Sequence, residues 1–283
     1  MKNKLYTILD VIKLSTDFLS KKGVPNSKCD AEWIISNTIN LKRVELYLNY
    51  ENIVSQDDLD SIRKDIIKRS KRIPLQHILG KVNFAGNEII CDSRALVPRN
   101  ETEQLTEIIQ KELSSMFSGK ILDLGVGSGV ILITLCKAFP QSRGLGVDKS
   151  DLAISLANEN IELNKLTNVE LKFFDWEKEV LNEKFDLIIS NPPYLSQDEW
   201  KDSEPEVKDY DPKIALVAND DGLADLKKII TISQNHLVKN GILALEIGHN
   251  QDKELIKVLE PSFREIKNIK DYGGKNRFLV AKK

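Results

Sequence analysis

Apolar residues recur at helical spacing through the first quarter of the chain. Between positions 4 and 72 most of them fall three or four residues apart, with charged residues between them. Gly23 and Pro25 end the first such stretch, and Ser55, which precedes acidic residues, is a typical helix N-cap. No alternating strand pattern interrupts the region. We therefore predict a small helical bundle over residues 1–73.

A second pattern begins at Pro74. The segment VNFAGNEII, residues 82–90, places short apolar groups on either side of Ala-Gly-Asn at 85–87. A turn sequence flanked by short apolar runs is typical of a β-hairpin. We predict that residues 74–99 form a hairpin linker between the bundle and the rest of the chain.

From Asn100 to the C-terminus, helical and strand patterns alternate, so residues 100–283 are expected to form one α/β domain. Such alternation is typical of a mostly parallel sheet with helices on both faces. The last two strands lie close together in sequence, which indicates an antiparallel hairpin at one end of the sheet. Seven strands are expected, at residues 120–125, 143–148, 169–175, 185–191, 241–248, 263–269 and 276–282.

Composition narrows the class of protein. The 283 residues are 41% hydrophobic and 30% charged, which excludes disordered and fibrous proteins. Lys and Arg total 41 against 43 Asp and Glu, so no overall positive charge favours nucleic acid, and we expect no direct binding to it. The three cysteines lack zinc-site spacing, and the amphipathic N-terminal segment is unlike a signal peptide. We expect a cytoplasmic protein without a metal or a membrane segment.

A glycine-rich turn follows the first strand of the alternating region: Gly125-Val126-Gly127-Ser128-Gly129. Glycines permit a tight turn and let a ligand approach backbone amides at the start of the next helix. The dinucleotide pattern GxGxxG would require glycine at position 130, where Val130 stands. The turn therefore indicates a nucleotide-like ligand other than a dinucleotide.

Two later strands end in residues that suit an adenosine-like ligand. Asp148 lies 19 residues beyond Gly129, a spacing that fits a carboxylate binding ribose hydroxyls, although the same residue could cap the next helix. Asp175 could accept from an adenine amino group while Trp176 packs on the ring. For Trp176 a purely structural place in the core is the alternative.

The fourth strand ends in a segment that is hard to explain by packing: Asn191-Pro192-Pro193-Tyr194. Ligands of open α/β sheets bind at the carboxyl ends of the strands. The Asn191 amide oxygen and the Pro192 carbonyl can accept the two hydrogens of a planar NH2 group, and Tyr194 can cover its plane. The segment predicts a site for a planar nitrogen substrate, with a simple rigid loop as the alternative.

Together these motifs resemble those of class I S-adenosylmethionine-dependent methyltransferases acting on amide or exocyclic nitrogens. The stretch PLQHILGKVNFAGNEIICDSRALVPRNETEQL, residues 74–105, is similar to the hallmark segment of the HemK/PrmC protein glutamine methyltransferases. His77, Asn100 and Asp211 depart from the family pattern, which affects the expected substrate fit more than catalysis. Later segments agree with the family: Tyr210-Asp211-Pro212, Asp221-Gly222-Leu223, Glu246-Ile247-Gly248 and Gln251.

The resemblance implies a Rossmann-like, mostly parallel seven-stranded sheet and S-adenosylmethionine as the cofactor. It implies methyl transfer to the side-chain amide nitrogen (N5) of the glutamine in the Gly-Gly-Gln motif of peptide chain release factors, and thus a role in translation termination. The residues implied are Asn191, Pro192 and Tyr194 as catalytic; Gly125, Val126, Gly127, Ser128, Gly129, Asp148, Asp175, Trp176 and Asn191 for the cofactor; and Arg99, Glu101, Asn191, Pro192, Pro193 and Tyr194 for the substrate.

Other functions stay open at this point. A ribosomal protein glutamine methyltransferase would share the NPPY segment, but Thr102-Glu103 favours the release factor enzyme. A nucleic-acid N-methyltransferase is disfavoured because the helical bundle has mixed charge and no basic, aromatic-rich stripe. A cofactor-binding adaptor without catalysis is a third reading. We expect the bundle to dock the release factor and the enzyme to act as a monomer.

Overall fold

The computed structural model describes residues 5–283. Its contacts divide the chain into two compact units: residues 1–80 together with 205–210, and residues 81–204 together with 211–283. The first, the helical unit, has α1 Ile8–Lys21, α2 Ser27–Thr38, α3 Arg43–Leu48, α4 Gln56–Ser70, α5 Leu75–Leu79 and, from the later segment, α10 Pro205–Lys208.

Two helices of the helical unit, α1 and α4, begin at residues whose side chains cap them. Thr7 caps α1 in a capping box with Asp10, and the Ser55 side chain accepts from the Asp58 amide at the start of α4. Buried apolar side chains from α1, α2, α3 and α4 pack into one core. The predicted helical bundle is therefore present in the part of this region that the structure describes.

Residues 205–210 join the helical unit through ion pairs. Glu206 accepts from Arg69 Nη2 at 2.7 Å and from Arg72 Nε and Nη2 at 2.6 Å each. Arg69 is 5% exposed and also pairs with Asp30 at 2.7 Å. Tyr210 donates to the Lys71 carbonyl oxygen at 2.8 Å. Nothing in the sequence pattern predicted that so distant a segment would complete this unit.

The second unit, the sheet unit, contains the remaining elements. Its helices are α6 Asn100–Glu112, α7 Val130–Ala138, α8 Asp151–Leu163, α9 Gln197–Lys201, α11 Ala224–His236 and α12 Asp252–Leu259, with a 3-10 turn at Lys213–Ala215. Its strands are β1 Lys81–Phe84, β2 Asn87–Ile90, β3 Lys120–Leu124, β4 Arg143–Asp148, β5 Val169–Phe173, β6 Phe185–Ser190, β7 Leu237–Glu246, β8 Arg264–Lys270 and β9 Asn276–Lys282.

Among residues 5–283, seven strands form one sheet in the order β5-β4-β3-β6-β7-β9-β8. Strand β9 runs antiparallel to both β7 and β8, and all other neighbours are parallel. The antiparallel hairpin β1-β2 forms a separate two-stranded sheet. The predicted fold class is confirmed. Since the order reverses between β3 and β6, a ligand crevice is expected at the carboxyl ends of these strands.

Both faces of the sheet are covered by apolar side chains. Ile121 and Leu122, neighbours on β3, point into different cores because successive side chains of a strand face opposite ways. One core includes α6, α7 and the hairpin, with Phe84 at 2% and Ile89 at 0% exposure. The other includes α11 and α12. Burial on both faces explains why the central strands read as continuous apolar runs.

Strand β7 begins earlier than the sequence pattern suggests. It starts at Leu237, which pairs with Phe185, whereas the apolar run predicted a start at Gly241. The register shifts between Phe185 and Leu187, and Asn240 has a φ of 68°. The irregular pairing lets polar residues continue the strand. The beginning of the strand therefore lies outside the apolar run from which its start was predicted.

Candidate active site

Four neighbouring strands present chemically active residues at one edge of the sheet. The glycine loop 125–129 follows β3, Asp148 ends β4, Asn191 follows β6 and Glu246 ends β7. In the order β4-β3-β6-β7 these are adjacent, parallel strands, so their carboxyl ends lie side by side. An open cavity of about 810 Å³ is lined by residues from this edge.

The glycine loop forms the turn between β3 and α7. Gly125, Gly127 and Gly129 have φ angles of 81°, 54° and 86°, a region that other residues adopt at a cost. Gly125 and Val126 both donate to the Val147 carbonyl oxygen, at 2.9 and 3.0 Å. The loop is thereby fixed against β4 with its backbone along the cavity.

Asp148 supports this loop from the end of β4. Its Oδ2 accepts from the Gly127 amide at 3.0 Å and its Oδ1 from the Ser150 amide at 2.9 Å. Burial raises the pKa of Asp148. Helix α8 is capped by Ser150, so the alternative of Asp148 as the helix cap is wrong. A carboxylate has about four acceptor positions, which leaves capacity for ligand hydroxyls.

Trp176 and Asp175 have different surroundings. Trp176 is 3% exposed, lines the cavity and donates from Nε1 to Asp225 at 3.0 Å, so it is a core residue as well as a wall of the cavity. Asp175 accepts from the Glu177 amide and pairs with Lys178 at 2.9 Å. The Lys178 ammonium lowers the pKa of Asp175. Its predicted contact with adenine stays a prediction.

Asn191 belongs to a chain of hydrogen bonds. Its Nδ2 donates to Thr102 Oγ1 at 2.8 Å, and Thr102 donates to Glu246 Oε2 at 2.7 Å. Tyr194 donates from its hydroxyl to Glu246 Oε1 at 3.3 Å, and the Arg277 guanidinium lies 5.7 Å from its ring centroid. Sequence reasoning gave no role to Thr102 or Glu246, although both fall in segments that carry the family resemblance.

The backbone of the NPPY segment is held from α12 and from the loop before α11. Gln251 donates from Nε2 to the Tyr194 carbonyl oxygen at 2.9 Å and accepts from the Gly248 amide at 2.8 Å. Gly222 lies so close that a Cβ there would be 2.1 Å from the same carbonyl oxygen. These contacts explain why Gly222 and Gln251 accompany NPPY in the sequence.

Arg99 lines the cavity and pairs with Asp211 at 2.6 Å. Asp211 also accepts from the Val97 amide at 3.2 Å, and burial raises the pKa of this carboxyl. The pair joins the segment before α6 to the segment after residue 210. Arg99 therefore has a structural role in this ion pair. Its contact with substrate stays a prediction.

The cavity wall contains some predicted site residues and not others. Those that line it are Arg99, Gly125, Val126, Gly127, Ser128, Asp148, Trp176, Asn191 and Pro193. Those outside the lining are Glu101, Gly129, Asp175, Pro192 and Tyr194. Tyr194 instead donates a hydrogen bond from its hydroxyl to Glu246, and of the two NPPY residues Asn191 and Tyr194 only Asn191 lines the cavity. The individual roles of both groups stay predictions.

Glu246 is 1% exposed, and burial raises its pKa from 4.5 to about 7. Between these values the folded protein keeps a proton that the unfolded chain releases. The free energy of unfolding therefore falls as the pH rises through this window.

We expect Glu246→Gln to abolish this pH dependence. Wild type should lose about 2–3 kcal/mol more stability than the variant between about pH 5 and pH 8, since one unit of pKa corresponds to about 1.4 kcal/mol. Urea unfolding of both proteins at the two pH values measures this. If the difference in unfolding free energy between wild type and the variant is the same at both pH values, a raised pKa of Glu246 is contradicted.

The polar groups of the edge fit a cationic nucleoside. Asp123, two residues before the glycine loop, is 0% exposed, and neither of its carboxylate oxygens has a hydrogen-bond partner among residues 5–283. Burial and the nearby Asp148 charge raise its pKa well above the usual range. Asp148 lines the cavity, so a ligand with positive charge would stabilise the ionised form of this carboxyl. S-adenosylmethionine, with a sulfonium, an ammonium and ribose hydroxyls, has these properties.

Comparisons with known proteins agree with this site. The family model described as PrmC N-terminal domain matches residues 10–80, and the methyltransferase small domain model matches residues 89–204. The release factor glutamine methyltransferase of Fusobacterium nucleatum is 38% identical over 281 residues, covering 97% of this chain and 78% of that protein. The Geobacter sulfurreducens enzyme of the same name is 34% identical over 257 residues, covering 90% and 89%.

A solved structure supports the fold alone. The Thermus thermophilus 16S rRNA N2 G1207 methyltransferase, in complex with AdoMet and guanosine, superposes with a TM-score of 0.52 at 18% identity, covering 72% of this chain and 49% of that one.

Sheet order, glycine loop and cavity thus define a class I S-adenosylmethionine-dependent methyltransferase. Its sequence identity to curated relatives identifies the family within this class. The chain belongs to the release factor glutamine methyltransferase family, which confirms the HemK/PrmC resemblance. Among residues 5–283, no helix is long and apolar enough to cross a membrane.

Asp148→Ala should weaken S-adenosylmethionine binding by about 1–3 kcal/mol, because charged hydrogen bonds to the ribose are lost. Asp148→Asn is the matched control: one of its positions still accepts from a loop amide, so a smaller loss is expected. Titration calorimetry measures both affinities. An Ala variant that binds like wild type would contradict the assigned position of the cofactor.

Proposed function

We propose that the protein transfers the methyl group of S-adenosylmethionine to the side-chain amide nitrogen (N5) of the glutamine in the Gly-Gly-Gln motif of peptide chain release factors. The observation that carries the proposal is the hydrogen bond from Asn191 Nδ2 to Thr102. It turns the amide oxygen of Asn191 away from Thr102, so that a lone-pair acceptor is available in the cavity that Asn191 lines.

The chain's task in this reaction is to orient a poor nucleophile. S-adenosylmethionine supplies an electrophilic methyl group on a sulfonium sulfur. The glycine loop and Asp148 would hold its nucleoside, with Trp176 as a wall of the same cavity. A glutamine NH2 group has two hydrogens, and the Asn191 amide oxygen together with the Pro192 carbonyl would accept one each. The nitrogen lone pair would then point at the methyl group.

The same two acceptors would stabilise charge. Positive charge grows on the amide nitrogen as the new bond forms, and preorganised oxygen dipoles lower its energy. The proton on the methylated nitrogen is acidic enough to pass to water afterwards. The proposed reaction therefore needs no general base.

The relatives support the choice of substrate. The Fusobacterium nucleatum and Geobacter sulfurreducens proteins carry the name release factor glutamine methyltransferase, and the matches include both the helical unit and the sheet unit. We propose that the helical unit helps to dock the release factor. The net charge of −2 gives the chain no overall positive field that would favour nucleic acid.

We also propose that the enzyme acts as a monomer in the cytoplasm. The three cysteines are free thiols, two of them buried, as is usual in a reducing compartment.

A labelling experiment tests the activity. The purified enzyme is incubated with methyl-labelled S-adenosylmethionine and either release factor, release factor with the motif glutamine replaced by alanine, ribosomal protein or bulk RNA. We expect label only in unaltered release factor, with mass spectrometry placing one methyl group on the glutamine. Label that persists in the alanine variant, or that enters RNA or ribosomal protein instead, would overturn the proposal.

A further inference from the structure

While Glu246 is ionised, the hydrogen bonds from Asn191 to Glu246 can run in only one direction. An ionised carboxylate only accepts hydrogen bonds, so Thr102 must donate its single hydroxyl hydrogen to Glu246. The lone pairs of Thr102 Oγ1 then face Asn191. Since only the NH2 side of an amide can donate to them, Nδ2 is the atom that contacts Thr102, at 2.8 Å. The negative charge on Glu246 therefore determines which end of the Asn191 amide faces Thr102.

Burial makes this direction costly to change. Glu246 is 1% exposed and Thr102 3%, whereas Asn191 is half-buried and borders the cavity. Tyr194 donates to the second oxygen of Glu246, which leaves Oε2 for Thr102. A buried polar group without a partner costs about 1–3 kcal/mol, so a rotated Asn191 amide facing Thr102 with its oxygen is disfavoured.

We propose that Thr102 and Glu246 are positioning residues that hold the Asn191 amide oxygen toward the reacting nitrogen of the substrate. The proposal rests on the proposed function, because it gives Asn191 a partner in that reaction. Thr102 lines the cavity, but its hydroxyl is already bonded to both Glu246 and Asn191. Glu246 therefore acts through Thr102, and Thr102 acts through Asn191.

Protonation of Glu246 would remove the directing charge. A protonated carboxyl can donate to Thr102, whose hydroxyl is then free to donate to the Asn191 oxygen and compete with the substrate for it. The charged and titratable groups that face Glu246 are Arg277 from β9, Glu101 from α6 and the Tyr194 hydroxyl. Burial outweighs the favourable Arg277 charge and raises the pKa of Glu246 to about 7. The positioning effect should therefore change near neutral pH.

Three variants of one helix test the proposal. Thr102→Val keeps the shape of the side chain and removes the hydroxyl, Thr102→Ser keeps the hydroxyl, and Thr106→Val is the matched control. Thr106 is a buried threonine one turn later in α6 whose hydroxyl bonds only to the Glu103 carbonyl oxygen at 2.7 Å among the described residues. Single-turnover methyl transfer to release factor is measured from about pH 6 to pH 9, together with S-adenosylmethionine affinity and thermal unfolding.

We expect Thr102→Val to slow methyl transfer by about 10- to 100-fold, because a misplaced reacting group costs rates of this order. Cofactor affinity should change far less than the rate, because Asp148 and the glycine loop keep their contacts. Thr102→Ser and Thr106→Val should stay close to the wild-type rate. The wild-type rate should rise through a pKa near 7, and this step should be absent in Thr102→Val and in Glu246→Gln.

The outcomes separate the two proposals. If wild type does not methylate the motif glutamine, the proposed function fails. If wild type does so and Thr102→Val matches it in rate and pH profile, the positioning role is overturned. A rate loss shared equally by Thr106→Val and Thr102→Val, or one that Thr102→Ser does not restore, would also overturn it, since general damage to α6 would then be the cause.

Discussion

Asn191→Ala is expected to slow the chemical step by about 10²–10³-fold, the range found when one preorganised polar group is removed from a reaction centre. The substitution removes one of the two acceptors proposed for the substrate nitrogen. S-adenosylmethionine affinity should change far less, because Asp148 and the glycine loop remain in place. Single-turnover kinetics with saturating cofactor measures the step directly.

Asn191→Asp is the control for this experiment. The aspartate keeps an acceptor in the same position but loses the donor to Thr102, and it adds a charge beside the sulfonium. Partial activity is therefore expected. A wild-type methyl-transfer rate in a folded Asn191→Ala protein would mean that NPPY is only a rigid loop, and the catalytic assignment would be abandoned.

Gly222→Ala is the second substitution with a large expected effect. A Cβ at this position would lie 2.1 Å from the Tyr194 carbonyl oxygen and 2.7 Å from Gln251 Nε2, so the backbone of the NPPY segment must move. A shift of about 1 Å in a reacting group can cost about 10²-fold in rate. We expect a loss of that order in single-turnover methyl transfer.

Gly274→Ala separates this clash from backbone strain. Gly274 has a φ of 81°, close to the 86° of Gly222, but a Cβ there has no atom within 4 Å. Both variants should lose about 1–2 kcal/mol of stability from the left-handed conformation, and only Gly222→Ala should also lose rate. Equal rates in the two variants would contradict the role of Gly222 in holding NPPY.

The sequence predicted the edge of the sheet well because its signals are local. Each of Asp148, Asn191 and the glycine loop directly follows an apolar run, and strand ends can be read from such runs. Parallel strands then bring their carboxyl ends together without further information. The confirmed fold and family depend on the same local patterns.

Contacts over long sequence distances could not be read in this way. The partners Thr102 and Glu246 are separated by 144 positions, and the joining hydrogen bonds depend on how α6 lies against β7. Each residue alone is ordinary: one lies in the first turn of a helix and the other at the end of a strand. Their coupling follows from packing, which no periodicity in the chain records.

The ion pairs of Glu206 have a consequence for exchanging domains between relatives. A chimera that received only residues 1–80 from another enzyme would set a foreign helix against the native Pro205–Tyr210 segment. Glu206 would then keep its ion pairs only if the donor supplies arginines where Arg69 and Arg72 stand. Tyr210 needs only the backbone carbonyl at position 71, which any residue supplies. The unit to be exchanged therefore consists of two separate segments, residues 1–80 and residues 205–210. The second segment lies shortly after NPPY in the sequence.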